Sequence, residues 1–454
     1  MSRTHDTAAN ARSVGEKLSA LGPTWLAGAI AAGPATMASL LVAGASFGYA
    51  LLWVVIISAV FGALAQYLAT KLALATEEGI VATVERRLGS WWAWLLVADV
   101  VLAAGFAQLV IMKTLADVSG LLTGADPRLW GVFWALVLAV GLAGGGYRLA
   151  ELGAKLIVSA IVLAFIASVF FVPTDFIAAS GGLVPTIPAG VSGALIAAGI
   201  LGGAVHISII TMQTYTVQAR GWTTADAPLA RFDISVSMLV AFGIFSIATF
   251  LVAAGALFGT VDAAGLDAIA AATALEPIAG PFAQWLFLFG LLGAAVSTLG
   301  GNTLIPPYVV ADKLGWETDV RDTRYRALLA ATALLSAAGG FIEGSFLQLL
   351  VLVLAFGLVG TPFAIALVLV LLNDSGSVVD APGLPLNLAG GALFAVASVL
   401  AGQFVYDELS GGLTPLSGSV LVFSTVLGVA TALLIVRHLR GTVGADEPTH
   451  SFGD

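Results

Sequence analysis

The sequence predicts an all-α integral membrane protein with about twelve transmembrane helices, and three observations carry that expectation. The 454-residue chain is 59% hydrophobic and only 10% charged, with a mean hydropathy of +1.02, where soluble domains carry about 25% charged residues. From Leu18 to Thr70 no residue is charged; at ~1.5 Å per residue this exceeds one bilayer crossing of ~20 residues, so it must hold two. Uncharged runs bounded by charge or turn clusters then recur near 24–46, 49–73, 91–116, 129–146, 152–173, 191–218, 233–259, 279–311, 326–342, 345–372, 385–405 and 417–437.

The first two runs turn near Gly44 to Tyr49. Arg3, Arg12 and Lys17 precede the first; it is too long for a signal peptide and lacks a small-residue cleavage site, so it reads as an uncleaved helix. With the N-terminus inside, all but Lys113 and Arg128 of the 18 Lys and Arg fall on the cytoplasmic side. That is the positive-inside pattern, and it predicts a multi-pass cell-membrane protein with both termini cytoplasmic. Lys113 and Asp117, four apart near the outer end of the third run, read as a snorkelling pair, as do Glu151 and Lys155 at the start of the fifth. The loop Leu314–Arg326, "LGWETDVRDTRYR", is only a connector, and no separate soluble domain is expected. Asn373-Asp374-Ser375 matches a glycosylation pattern but falls inside.

Composition also excludes classes. Without cysteine there is neither a disulfide framework nor a thiolate metal site. A net charge of −9 argues against nucleic acid. Gly44-Ala45-Ser46-Phe47-Gly48 matches G-x-S-x-G, but a nucleophile elbow needs a strand-to-helix turn, a base and an acid. At the end of a membrane helix it reads as small-residue packing. No H-E-x-x-H, P-loop or dinucleotide fingerprint occurs, so no enzyme and no cofactor are expected. The expected partners are the lipid bilayer and a transported solute or ion.

Gly33 and Pro34 interrupt the first run. Proline has no amide hydrogen, so the carbonyl near Ile30 loses its helical partner. A free carbonyl in hydrocarbon costs several kcal/mol unless something satisfies it, and transporters place such breaks at midplane substrate sites. A second weak point follows in the sixth run, with Gly199, Gly202 and Gly203, then His206 and Ser208. Weakened first and sixth spans are what an inverted repeat of five plus five helices predicts. One acid, Asp99, lies deep in the third run; intramembrane acids are functional candidates by default. Nine residues at ~100° each set Gln108 on the opposite face.

Several stretches resemble the Nramp metal-ion transporters: "FGYALLW" (47–53) with Gln66 their first two helices, "VQAR" (217–220) the end of the sixth, "VSTLGGN" (296–302) the eighth and "TPFAIAL" (361–367) the tenth. The resemblance implies a LeuT-type fold with helices 1 and 6 interrupted. It divides the chain into a cytoplasmic tail (1–23), a ten-helix core (24–372, as repeats 24–173 and 191–372), two additional helices (373–440) and a second tail (441–454).

At the functional positions the sequence departs from the family. The first-helix motif Asp-Pro-Gly-Asn falls on Gly33-Pro34-Ala35-Thr36, so the carboxylate and amide are gone. The sixth-helix motif Met-Pro-His, just after Gly203, falls on His206-Ile207-Ser208, and a further family histidine is Gln213, two turns beyond His206 on the same face. The acidic proton-path pair appears as Gly105 and Gln108, and the ninth helix lacks a basic residue between Ala327 and Ile342. The expected substrate positions are therefore Gly33, Pro34, Ala35, Thr36, Gly203, His206, Ser208 and Gln213. Asp99, Gly105, Gln108, Ser297, Thr298 and Asn302 are candidates for an ion or proton path. Divalent cations recover their hydration energy from carboxylates and several oxygens, and no carboxylate occupies the family's metal position. The implied activity is metal-ion transport by alternating access, with atypical selectivity and without the family's proton coupling. A carrier of a small neutral or anionic solute, and a transporter-derived channel or sensor, are the alternatives.

Overall fold

Helices occupy all twelve predicted runs in the computed structural model of the protein, which describes residues 33–144, 159–188, 191–261, 266–374, 376, 381–410 and 415–441. No strand occurs among the described residues. Eight helical segments are long and apolar enough to cross a membrane, and Pro34–Phe47, Pro127–Leu142 and Ser159–Ser168 are shorter apolar helices. Residues 24–32 of the first run, with Ile30, and 152–158 of the fifth, with Lys155, lie outside the described residues, as does Glu151.

The described part of the first run is α1 (Pro34–Phe47). Pro34 stands at its first position, where a missing N–H and a fixed φ suit a helix start. The second span is α2 (Leu52–Thr76), followed by the short α3 (Ile80–Leu88) with Arg86 and Arg87 in its last turn. Spans three to five are α4 (Ser90–Thr123), α5 (Pro127–Gly144) and α6 (Ser159–Ser168). The sixth is two helices, α7 (Val191–Val205) and α8 (Ile207–Ala219). The seventh runs through α9 (Ala227–Ile234), a π-helical stretch Ser235–Phe242 and α10 (Gly243–Ala256). The eighth is α11 (Ala283–Thr303) continued by α12 (Ile305–Leu314), and the ninth α13 (Thr323–Leu335) with a 3₁₀ turn to Phe341. The tenth to twelfth are α14 (Phe346–Leu372), α15 (Leu384–Ser410) and α16 (Pro415–Leu439).

Helix α14 is the hub, buried along nearly its whole length and packed against α7, α4, α1, α15 and α16. Glycines let backbones approach where lipid supplies no hydrophobic drive between helices. A side-chain carbon at Gly202 would overlap the Leu354 carbonyl of α14, one at Gly203 would meet Thr36 of α1, and one at Gly44 would meet Ala253 and Ala254 of α10. The G-x-S-x-G match is thus a helix contact. Exposed Val399 of α15, and Val422, Val426, Val429 and Leu433 of α16, give the outer surface the apolar side chains that lipid requires.

Lys113 and Asp117 do pair, at 2.8 Å. The Lys113 side chain, however, is only 7% exposed, so it is packed inside rather than snorkelling: α4 is central, and its outer end is covered. Replacing Gly202 by Ala should cost about 1–3 kcal/mol through overpacking against α14, read as a lower melting temperature of the detergent-solubilised protein, while Gly391→Ala, where a side chain meets open space, should leave it unchanged.

Candidate functional site

The sixth span breaks at a single residue. His206 has φ −55 and ψ 134, outside the helical region, between the end of α7 and the start of α8. Two side chains repair the break. Thr361 of α14 donates its hydroxyl to the Val205 carbonyl at 2.7 Å, and His206 Nδ1 accepts from the Ser208 amide at 3.3 Å, capping α8. The Val205 carbonyl is therefore occupied by protein and is not the bare oxygen that a broken helix suggests.

The start of α1 meets the break of the sixth span. Thr36, on the first turn of α1, is buried beside Gly203 on the last turn of α7. Gly33 precedes α1 in extended backbone, with its carbonyl accepting from the Met37 amide at 3.2 Å. Pro34 and Ala35 are buried next to it.

His206 points at α14. A side-chain carbon at Gly357 would overlap its ring, and one at Gly360, one turn further, would overlap the Asp99 carboxylate of α4. Asp99 is 1% exposed and His206 4%. Both Asp99 oxygens, His206 Nε2 and the Ser208 hydroxyl lack a hydrogen-bond partner among the described residues. Because Nδ1 accepts a hydrogen bond, the neutral ring carries its proton on Nε2. In this arrangement Nε2 is an N–H donor, not a metal-ligating lone pair.

The opposite face of α4 is a closed, uncharged network. Gln108 donates to Thr303 Oγ at 2.6 Å, Asn302 donates to the Gln108 carbonyl oxygen at 2.9 Å and to the Ala104 carbonyl at 2.8 Å, and Thr303 donates to Leu299. No proton carrier takes part. Gly105 adjoins open space. Ser297 is half-buried, and Thr298 is buried with its hydroxyl unpartnered among the described residues.

Gln213 departs from its expected place. Its amide donates to Thr70 on α2 at 2.9 Å, whereas His206 faces α14. The helical phase does not extend across the non-helical His206, so counting two turns from it misplaces the later side chain. One turn from Thr70, Gln66 is fully buried with both amide ends unpartnered among the described residues. Sequence reasoning singled out neither Gln66 nor the Gly357–Gly360–Thr361 face as a site; the small-x-x-small spacing just before Pro362 was the available signal.

At the end where α2 passes into α3 the bundle is tied shut. Asp312 of α12 accepts from the Tyr215 hydroxyl of α8 at 2.7 Å and the Ala82 amide of α3 at 3.3 Å. Lys313 reaches Glu85 at 2.8 Å, and Arg87 pairs with Asp374, beyond α14, at 2.8 Å.

The comparisons fit this architecture. Residues 24–407 match the Nramp family, described as natural resistance-associated macrophage protein-like. The divalent metal cation transporter MntH of Mycobacterium tuberculosis is 28% identical over 411 residues, covering 86% of this chain and 92% of that protein. MntH of Yersinia pestis is 29% identical over 310 residues, 64% of this chain and 74% of that one. In fold, a histidine-to-alanine mutant of the Eremococcus coleocola manganese transporter superposes with a TM-score of 0.73 at 14% identity, over 97% of this chain and 96% of that one. MHP1, a nucleobase-cation-symport-1 family transporter with bromovinylhydantoin bound, gives 0.57 at 17% identity, over 95% of each chain.

Thr361→Val should strip the cap from the Val205 carbonyl and cost about 1–3 kcal/mol, the desolvation penalty of an unsatisfied buried acceptor. The checks are thermal denaturation and faster amide exchange at 205–210, with Thr361→Ser retaining the wild-type behaviour.

Proposed function

We start from the fact that the chain belongs to the Nramp family, and propose that it is a cell-membrane transporter, both termini cytoplasmic, that moves a metal cation through the meeting point of α1, α7 and α8 without the family's proton path. The single observation that supports this reading is the arrangement around His206: a one-residue hinge in the sixth span just after Gly203, which packs on Thr36 of α1, with the His206 ring and the Asp99 carboxylate of α4 seated on Gly357 and Gly360 of α14 and the Asp99 oxygens, His206 Nε2 and the Ser208 hydroxyl without partners among the described residues. Buried polar groups without partners are costly, and a passenger that satisfies them is the economical explanation. A buried acid can ionise only beside a positive charge, which favours a cation over the anionic-solute alternative.

Alternating access follows from the same parts. Helix α8 joins α7 only through His206, so it can swing while α7 stays locked to α14 through Gly202. The swing must break the Tyr215–Asp312 bond and the Ile80 amide's bond to Thr214, at 3.2 Å. These contacts hold one end closed, and their rupture opens it. Where the family has its acidic pair, Gly105 carries no proton and Gln108 is fixed by Asn302 and Thr303. The flux therefore follows the gradient of the cation and is not driven by protons along that route. The two helices α15 and α16 flank this machinery as an addition to the ten-helix core.

Reconstituted in liposomes, the protein should take up manganese saturably, at a rate that an imposed proton gradient does not raise; acceleration by protons would refute the uncoupled mechanism, and uptake of an organic solute with no metal flux would favour the neutral-solute carrier. Currents far above carrier turnover would mark a channel instead. His206→Ala removes the cap of α8 and the Nε2 donor together, and should lower manganese uptake at least tenfold. Gly33→Asp should tighten manganese binding, measured by calorimetry, by returning an anion to the first break.

A further inference from the structure

We propose that Asp99 supplies the carboxylate of the cargo site, brought in from the third span, as an oxygen ligand for a hard or borderline divalent cation, with the His206 N–H donating to that carboxylate or to a water on the ion and the Ser208 hydroxyl as a further oxygen. The inference rests on the cation-transport reading above and goes beyond it by naming the charged group.

Three facts converge. First, Asp99 faces the centre of the bundle: α4 packs on α14 and α8, and the Asp99 carboxylate nestles in the gap left by Gly360. It is 1% exposed, and neither oxygen has a partner among the described residues. A structural acid in this position would be bonded to a hydroxyl, an amide or a base. Second, Gly357 makes the matching gap for His206. Positions three apart on a helix have Cβ atoms about 5–6 Å apart, so the carboxylate and the imidazole lie roughly one turn apart along α14, without a direct bond between them. The proposed cation, with a bound water, sits in that interval. Third, the ligand set is hard. His206 Nδ1 is held by the Ser208 amide, which leaves Nε2–H to donate toward an acceptor such as a carboxylate oxygen. The other Asp99 oxygen and the Ser208 hydroxyl, both buried without a partner among the described residues, are the oxygens proposed to bind the cation. With the imidazole lone pair engaged and His206 where the family has its methionine, the site suits oxygen-seeking ions.

The loss of an anion at Gly33 and the presence of one at Asp99 are then a single change. The charge that desolvates the ion has moved from a broken helix to a continuous one, on the side of α8 that faces α14.

The test is manganese titration by calorimetry on the full-length purified protein, comparing wild type, Asp99→Asn and the double variant Asp99→Asn with Gly33→Asp, each monodisperse by size exclusion. Asp99→Asn should weaken manganese at least tenfold, and the second carboxylate should restore most of that loss. Unchanged affinity in Asp99→Asn overturns the proposal while leaving cation transport intact. A loss that Gly33→Asp does not restore also overturns it, because it assigns Asp99 to the scaffold. If wild type binds no manganese and carries none into liposomes, the transport reading falls and this proposal with it.

Discussion

A helix interrupted in hydrocarbon must find partners for every backbone group it frees, and the junction at residues 205–208 is organised around that requirement. Two protein groups meet it, the Thr361 hydroxyl and the His206 ring. The first ties the break to α14, so the sixth span cannot hinge without reference to the tenth. The second fixes which nitrogen of His206 is engaged and therefore which end of the ring looks into the bundle. Position, tautomer and coupling to the hub helix all follow from one need, that the chain leave no carbonyl or amide without a partner where water is absent.

Close packing at glycine is the second constraint, and it acts in opposite ways on two helices. On α7, Gly202 and Gly203 bring backbone against backbone and leave no room. On α14, Gly357 and Gly360 admit polar side chains from neighbouring helices, so that the His206 imidazole and the Asp99 carboxylate both reach α14 near the break. The same residue type thus closes one wall of the centre and recesses the other. Residues at Gly357 and Gly360 larger than glycine would displace the two ionisable groups from the middle of the bundle.

The twelve apolar runs, the break of the sixth span and the opposition of Asp99 to Gln108 on α4 were legible in the sequence because each is governed by local periodicity, charge exclusion or helix chemistry. The satisfied Val205 carbonyl was not, since its partner lies 156 residues away on another helix and one threonine in a membrane span resembles any other. Gln213 was misplaced for a definable reason: a helical wheel assumes continuous phase, and His206 interrupts it. The buried Lys113 was read as snorkelling because sequence gives depth along a helix but not which neighbours cover it. The site residues most visible in the sequence were those that depart from a family motif, whereas Gly357 and Gly360 look like ordinary small residues until the side chains seated on them are known.

If the cargo site's carboxylate sits on the third span rather than the first, as proposed, the hinge acts differently. In a site whose carboxylate sits on a broken helix, the charge travels with the moving half, and release requires that half to turn away from the rest. Helix α4 is continuous over 34 residues, and its other face is locked to α11 through Gln108, Asn302 and Thr303. Asp99 is therefore part of the stationary wall. The neutral network does more than remove a proton path: with every group donating or accepting to a fixed partner, it stiffens the helix that carries the charge. On the proposed site the mobile elements contribute a hydroxyl oxygen and an N–H that donates to the carboxylate or to the ion's bound water, both weak contacts that a swing of α8 would break. In the proposed site, one fixed oxygen ligand and several weak, mobile partners would hold the ion loosely and let it go as α8 withdraws, so the strength of binding is set by the position of α8 rather than by the helix that carries the acid.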